Sequence, residues 1–373
     1  MLVITILFLL VAGAWAYSLL SLVAAVRFLA VPIPSIVSQE PISVLKPLAG
    51  LDEGLAENLR SFFEQKHSSF ELIFALRSAA DPAAAVVENL RAQYPKVPAR
   101  LLITGEPPYP HAKVFSLVHL LREARHDLVV MSDSDIRVTP DFLSFAATEF
   151  VDGKIALATC PYRAIAGKSF WSRLEALGMN TTFWQGVLTA RMLDSMKFAV
   201  GPTIVARRKA IDGIGGMESL KDFLAEDFEL GRRVAESGAN VILSRIVVEH
   251  RIGSETLRQN ISHRIRWGRT SRRSRPLGYI GQIFTYPLPL AMLLALVAPK
   301  YWPVLAVTLT MRYVTAWMTS WSVLRVWTDE PLLPLEDVVG FVFWIAGFFG
   351  STITWRGRVY RIDRDGKAAA EKK

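Results

Sequence analysis

Hydrophobic patterning divides the chain into a long apolar start, an alternating middle and an apolar end. Residues 1–26 carry no charge, and Arg27 ends the run. As a helix that stretch measures roughly 39 Å, enough to cross a bilayer with tilt. Ala14-Trp15-Ala16 has the small-residue pattern of a signal cleavage site. However, no basic residue precedes the apolar run, which continues ten residues beyond that site, so a retained anchor is expected. Comparable stretches return only late. Residues 277–299 are uncharged, 301–324 are apolar apart from Arg312, and 338–355 are uncharged again.

Between these ends the pattern is β-type runs alternating with amphipathic helices. Strands are expected at 42–45, 71–76, 100–103, 128–131 and 155–159, and helices at 55–65, 83–94 and 114–122. Strands alternating with helices of about a dozen residues predict an α/β fold with a mostly parallel sheet flanked by helices. The expected organisation is an N-terminal transmembrane anchor (1–30), a polar α/β domain (39–253) and a basic amphipathic helix (254–276). C-terminal membrane segments (277–355) and a basic tail (356–373) follow.

Charge refines this plan. The chain has 43 basic and 34 acidic residues, a net +9, and one cysteine, Cys160, which excludes an intramolecular disulfide. Six arginines fall between Arg264 and Arg275, and Leu257, Ile261 and Ile265 form an apolar stripe on the same predicted helix. Such a helix beside an uncharged stretch reads as interfacial on anionic lipid rather than as a nucleic-acid binder. Basic flanks after the first apolar stretch and before the second place the middle domain in the cytosol. Three later crossings would put Arg356, Arg358 and Arg361 on the other side, unless one C-terminal segment is re-entrant.

Candidate chemistry lies where ligands bind in such sheets, beyond the carboxyl ends of strands. The apolar run 128–131 leads into Ser132-Asp133-Ser134-Asp135. Two carboxylates at i and i+2 can converge on one point, and hard oxygen donors with open positions suit Mg²⁺ or Mn²⁺ carrying substrate phosphates. An ordinary solvated turn would also carry Asp-x-Asp. Glu226-Asp227 offers a general base at Asp227, although carboxylates at a helix start are also favoured by the dipole. Asp81, before Pro82, suits a turn, or a hydrogen bond to a nucleobase or ribose. In His263-Arg264-Ile265-Arg266-Trp267, Arg266 could reach a diphosphate and Trp267 could floor an acceptor site.

Taken in order, Asp81, Asp133-x-Asp135, Glu226-Asp227 and Arg266-Trp267 resemble the ceramide glucosyltransferase family of inverting, GT-A-fold enzymes. The resemblance extends to Val44-Leu45-Lys46-Pro47-Leu48-Ala49-Gly50, Tyr94-Pro95, Lys113, Gly201-Pro202-Thr203, and Ile353-Thr354-Trp355-Arg356-Gly357 with Tyr360-Arg361. It implies that Asp81, Asp133 and Lys113 bind a UDP-sugar, and that Asp133 and Asp135 hold the metal. Asp227 would be the catalytic base, with His263, Arg266 and Trp267 at the diphosphate and acceptor. The implied reaction moves a sugar, glucose first among candidates, onto a ceramide-like membrane lipid. Two positions depart from the pattern: His263 stands where Gln or Arg is usual, and Phe115-Ser116 replaces a polar pair. The histidine and the run from Trp267 to Tyr279 resemble bacterial relatives, including glycosyltransferases acting on hopanoids. That resemblance makes a hopanoid polyol the alternative acceptor and the bacterial inner membrane the expected location. A non-catalytic lipid or nucleotide binder is the rival of another class.

Overall fold

The computed structural model describes residues 1–355, 358–363 and 365–370. Among the described residues, thirteen strands and fourteen α-helices follow one another in the order α1 (Leu2–Leu29), β1 (Ile42–Pro47), α2 (Leu55–Phe63), β2 (Phe70–Leu76), α3 (Ala83–Gln93), β3 (Ala99–Ile103), α4 (Ala112–Glu123), β4 (Leu128–Ser132), β5 (Ile136–Arg137), α5 (Phe142–Glu149), β6 (Ile155–Thr159), β7 (Tyr162–Ala166), α6 (Phe170–Gly178), α7 (Trp184–Asp194), β8 (Thr203–Arg207), α8 (Arg208–Gly213), α9 (Glu226–Glu236), β9 (Asn240–Leu243), β10 (Val248–Gly253), α10 (Leu257–Ser274), α11 (Pro276–Gly281), α12 (Pro287–Val297), α13 (Trp302–Trp317), α14 (Leu333–Gly347), β11 (Thr352–Trp355), β12 (Arg358–Ile362) and β13 (Ala368–Ala370). The eight elements expected from the apolar pattern of the middle domain all form, within a few residues at each end.

The central sheet runs β3-β2-β1-β4-β8-β6-β9. It is parallel except for β8, which is antiparallel to both β4 and β6. Strands β1, β2 and β4 are buried along nearly their whole length, because helices cover both faces and leave no side for polar residues. A second sheet, β5-β10-β7, stands at the end of β4. It aligns Val248 and His250 with Tyr162 and Ala164.

Helix α1 is built into the body. Ala24, Ala25 and Phe28 belong to the main core, and Val11 and Ala14 pack with Leu290, Ala291 and Leu294 of α12. Its other residues include exposed Leu2, Val3, Leu9, Leu19 and Val26. Among the described residues it is the one helix that is by itself long and apolar enough to cross a membrane.

The C-terminal region departs from the three expected spans. Residues Pro276–Thr285 and Pro287–Val297 could form one span only as a pair bent by 61° at Tyr286, where Pro287 cannot continue a straight helix. Helix α13 runs into a π-helical turn at Met318–Val323. Its Arg312, 1% exposed, pairs with Asp337 of α14 at 2.8 Å and donates to Thr182 on a second π-helical turn, Met179–Phe183. Glu336 takes Arg264 of α10 at 2.8 Å. Charges inside these helices therefore face protein partners. The run 338–355 does not form a single helix: α14 ends at Gly347, and Thr352–Trp355 is a strand.

The segment expected as a basic tail is also folded in part. Strands β11, β12 and β13 form an antiparallel sheet, because Ile353, Tyr360, Ile362 and Ala368 bury one face together. Arg356 and Gly357 of the sequence signature, and residues 371–373, lie outside the described residues.

The basic helix α10 begins with a reciprocal capping box between Thr256 and Gln259. Several of the clustered arginines have partners within the protein. Arg264 pairs with Glu336, Arg269 and Arg272 bind carbonyls at 348–352, and Arg275 stacks on Phe198 and Phe228. Part of their sequence density therefore serves tertiary anchoring.

Candidate active site

The chain leaves β4 at Ser132 and turns at once: the Asp133 N–H donates to the Pro202 carbonyl, and the Ile136 N–H to that of Asp133. Beneath the turn lies Lys46 of β1, 0% exposed, donating to Ser132 Oγ at 3.1 Å and to the Asp133 carbonyl at 2.6 Å. Burial brings the Lys46 ammonium down to about 7, against the opposing pull of Asp133 and Asp135. The turn is thus held from below by an amine with no room to move.

The two aspartates have different partners. Asp133 Oδ1 lies 2.8 Å from Lys113 Nζ, whereas Asp135 Oδ2 accepts from His250 Nε2 at 3.1 Å. Burial works against ionised Asp135, but His250 outweighs it and holds the carboxyl below its ordinary range. Burial raises the Asp133 carboxyl, Lys113 pulls it back, and Asp135 adds to the rise. His250 was not singled out from sequence. Its signal is the apolar run from Ile246 to Val248 leading into β10, whose alternation turns His250 inward on the same face as Val248.

Lys113 connects the two acidic motifs, since its Nζ also lies 2.9 Å from Glu226 Oε1. His111 Nε2 reaches the other oxygen of Glu226 at 3.1 Å. Burial would raise the Glu226 carboxyl, yet Lys113 and His111 overcome it and keep Glu226 ionised well below the usual range. The neighbouring Asp227 goes the other way, pushed up to about 6 by burial and then by the Glu226 charge. The two adjacent carboxylates are thus shifted in opposite directions, which leaves Glu226 an anion and Asp227 the one able to exchange a proton near neutrality. Gly201 makes room for it, because a Cβ there would lie 2.6 Å from Asp227 Oδ2. Lys113, Ser132, Gly201, Glu226 and Asp227 line one cleft at the carboxyl end of β4.

The remaining sequence candidates lie around this centre. Both carboxylate oxygens of Asp81 accept the Gly50 N–H, at 3.1 and 3.0 Å, and Oδ1 also takes the Ala83 N–H at 3.0 Å. Asp81 thus ties the loop after β1 to the first turn of α3, beyond the end of β2. His263 Nδ1 lies 2.7 Å from Glu175 Oε1, and its ring packs on Trp267 with centroids 4.4 Å apart. Glu175 is 3% exposed and also holds Asn260. Arg266 lines a separate cleft of about 210 Å³ between α10 and the C-terminal sheet, with Ser262, Arg269, Thr352 and Thr354. The structure therefore links Asp133 through Lys113 to Glu226, next to Asp227 in the same cleft, pairs Asp135 separately with His250, and puts His263 and Trp267 side by side. Arg266 faces the C-terminal sheet.

A divalent ion fits the Asp-x-Asp turn. Asp135 Oδ1 is buried without a hydrogen-bond partner, and the available donors are carboxylate oxygens. Among the described residues the group of three ligand-type side chains close enough to share an ion is instead Glu175, Glu255 and His263. An ion at Asp133 and Asp135 would therefore complete its coordination with substrate phosphates and water, as Mg²⁺ and Mn²⁺ commonly do.

Comparison with known proteins bears on the whole chain. A model described as glycosyl transferase family 21 matches residues 6–368. Ceramide glucosyltransferase 1 of Caenorhabditis elegans is 33% identical over 205 residues, and ceramide glucosyltransferase 3 of the same organism 31% over 204. Each alignment covers 54% of this chain and 44% of the relative, so the match spans under half of those proteins' length. A mannosyltransferase from Pyrobaculum calidifontis, solved with GDP-Man and Mn²⁺, superposes with a TM-score of 0.56 at 16% identity. The superposition covers 93% of this chain and 99% of that one, a likeness of fold.

Proposed function

The chain belongs to glycosyl transferase family 21, and from that premise we propose that it transfers a sugar, glucose in the first instance, from a UDP-sugar to a ceramide-like membrane lipid. The observation that carries this reading is the pairing of Glu226 with Asp227: one carboxylate is neutralised by Lys113 and His111, and its neighbour is raised to about 6 beside the Asp-x-Asp turn. The curated relatives' names supply ceramide and glucose.

In the proposed reaction Asp227 takes the proton from the acceptor hydroxyl. The oxygen forms a bond to the anomeric carbon, and the bond from that carbon to the diphosphate oxygen breaks. The electron pair leaves with UDP, and the anomeric configuration inverts. Asp133 and Asp135 would hold a divalent ion that neutralises charge on the diphosphate. Lys113 fixes Asp133 relative to Glu226, and His250 fixes Asp135. Asp81 and the Gly50 loop edge the nucleoside side, while His263 and Trp267 edge the acceptor side. Arg266 reaches the diphosphate only if the donor extends toward its cleft.

The membrane reading follows from α1, with its exposed apolar side chains, and from the bent pair ahead of and including α12. We infer a multi-pass protein of the bacterial inner membrane with the catalytic domain in the cytosol. In it the bent pair would be the re-entrant or broken crossing that the basic flanks require. His263 is the feature that keeps a hopanoid polyol as the second acceptor.

Purified full-length protein in lipid nanodiscs, given a panel of UDP-sugars with ceramide or a hopanoid polyol, tests the reading by mass spectrometry of the lipid product. NMR of that product should show the configuration opposite to the donor's. Retention would contradict direct displacement, and labelling of neither lipid would contradict the acceptor class.

A further inference from the structure

The start of α9 carries Asp227, yet its N-cap residue Ala225 offers no side-chain hydrogen bond to the helix. The preceding residues are held from outside. The Ala368 N–H donates to the Asp222 carbonyl at 2.7 Å, and Phe223 pairs with Lys367 in an isolated antiparallel bridge. Leu224 packs against the cluster of Ile353, Tyr360, Ile362 and Ala368. The C-terminal sheet thus grips three consecutive residues of the loop that ends, three positions later, in Asp227.

The same sheet is fastened at its other end to α10. Arg269 Nε donates to the Phe349 carbonyl at 2.9 Å and Arg272 Nη2 to that of Gly350 at 2.8 Å. Their other nitrogens reach the carbonyls of Thr352 and Phe348. Gly350 has a φ of +78°, and a Cβ there would lie 2.7 Å from the Arg269 guanidinium, so the turn is shaped to admit it. One element therefore links the helix of Arg266 and Trp267 with the loop of Asp227, across the cleft of about 210 Å³.

We propose that the sheet β11–β13 is a strap that sets the position of the Asp227 carboxylate by gripping residues 222–224, with Leu224 as the positioning residue through which it acts. The proposal rests on Asp227 being the base. It differs from simple stabilisation, because misplacing a base by about 1 Å costs on the order of 10²-fold in rate even in a fully folded protein.

The test uses full-length protein in nanodiscs with UDP-glucose and ceramide as probes. It compares Leu224→Ala, Leu224→Ile, Ala368→Pro and Asp227→Asn with the parent chain. Leu224→Ala should lower kcat about tenfold or more with the donor KM within about twofold and the protein folded at the assay temperature, the misplacement arguing for a loss of this order. Leu224→Ile should recover most of the rate. Ala368→Pro, which removes the donated N–H, should act in the same direction, and amides of residues 223–228 should exchange faster in both impaired variants. Normal kcat in Leu224→Ala and Ala368→Pro alongside an inactive Asp227→Asn would overturn the strap and leave the base standing. Losses that only track the unfolded fraction would overturn it equally. Full activity in Asp227→Asn would remove the base and the strap together.

Discussion

Asp227 differs from an ordinary helix-start carboxylate in a way that can be measured. A capping aspartate stabilises its helix, so replacing it costs stability. Asp227 is raised from 3.8 to about 6 by burial and by Glu226, so the folded chain binds its proton more tightly than the unfolded chain does. Above pH 6 the ionised group therefore opposes folding, and this penalty is relieved as pH falls from about 6 toward 3.8. Asp227→Asn should raise Tm at pH 7.5 while lowering kcat by roughly 10²–10⁴-fold. Below pH 6 the parent's kcat should fall about tenfold per pH unit as the base becomes protonated. A thermal melt and a pH–rate profile check both. At the Asp-x-Asp turn, Asp135→Ala should abolish stimulation by Mn²⁺ or Mg²⁺. His250→Ala should raise the metal concentration needed for half-maximal rate, because that imidazole orients the Asp135 carboxylate.

At the scale of elements, the buried pair of Arg312 and Asp337 joins α13 to α14 and, through Thr181 and Thr182, to the turn before α7. Removing one partner of such a pair leaves a buried charge and costs about 3–5 kcal/mol, whereas replacing both with apolar residues is often tolerated. Arg312→Met should therefore lower Tm sharply, and Arg312→Met with Asp337→Leu should recover much of the loss, as a double-mutant cycle would show. The strands and helices of the middle domain were legible because their burial is local and periodic. Strand β8 was missed, since nothing in residues 203–207 announces an antiparallel strand inserted between β4 and β6. The β11–β13 sheet was missed because charged residues separate its inward positions Ile353, Tyr360 and Ile362, and composition outweighed a period of two. The anchoring by arginines of α10 was not legible for a related reason: a count of charges does not say which meet carbonyls and carboxylates across the fold.

Across the whole molecule, the acidic motifs were legible as candidates but not as a network. Lys113 lies on α4, while Asp133 follows β4 and Glu226 begins α9, so only the folded sheet brings their charges within 3 Å. Helix α1 is more than a tether, because Phe28, Ala24 and Ala25 are part of the α/β domain's core. Deleting residues 1–30 should therefore yield a destabilised, aggregating domain rather than a soluble active one, as size-exclusion chromatography would show. The most direct test of the whole account is the lipid product formed by full-length protein and by its Asp227→Asn variant in nanodiscs holding ceramide and a hopanoid polyol, supplied with UDP-glucose and Mn²⁺. One lipid should gain a single hexose with equimolar UDP, and the folded variant should form it roughly 10²–10⁴-fold more slowly. Product at an undiminished rate from Asp227→Asn, or UDP release with no glycolipid from the parent, would contradict it.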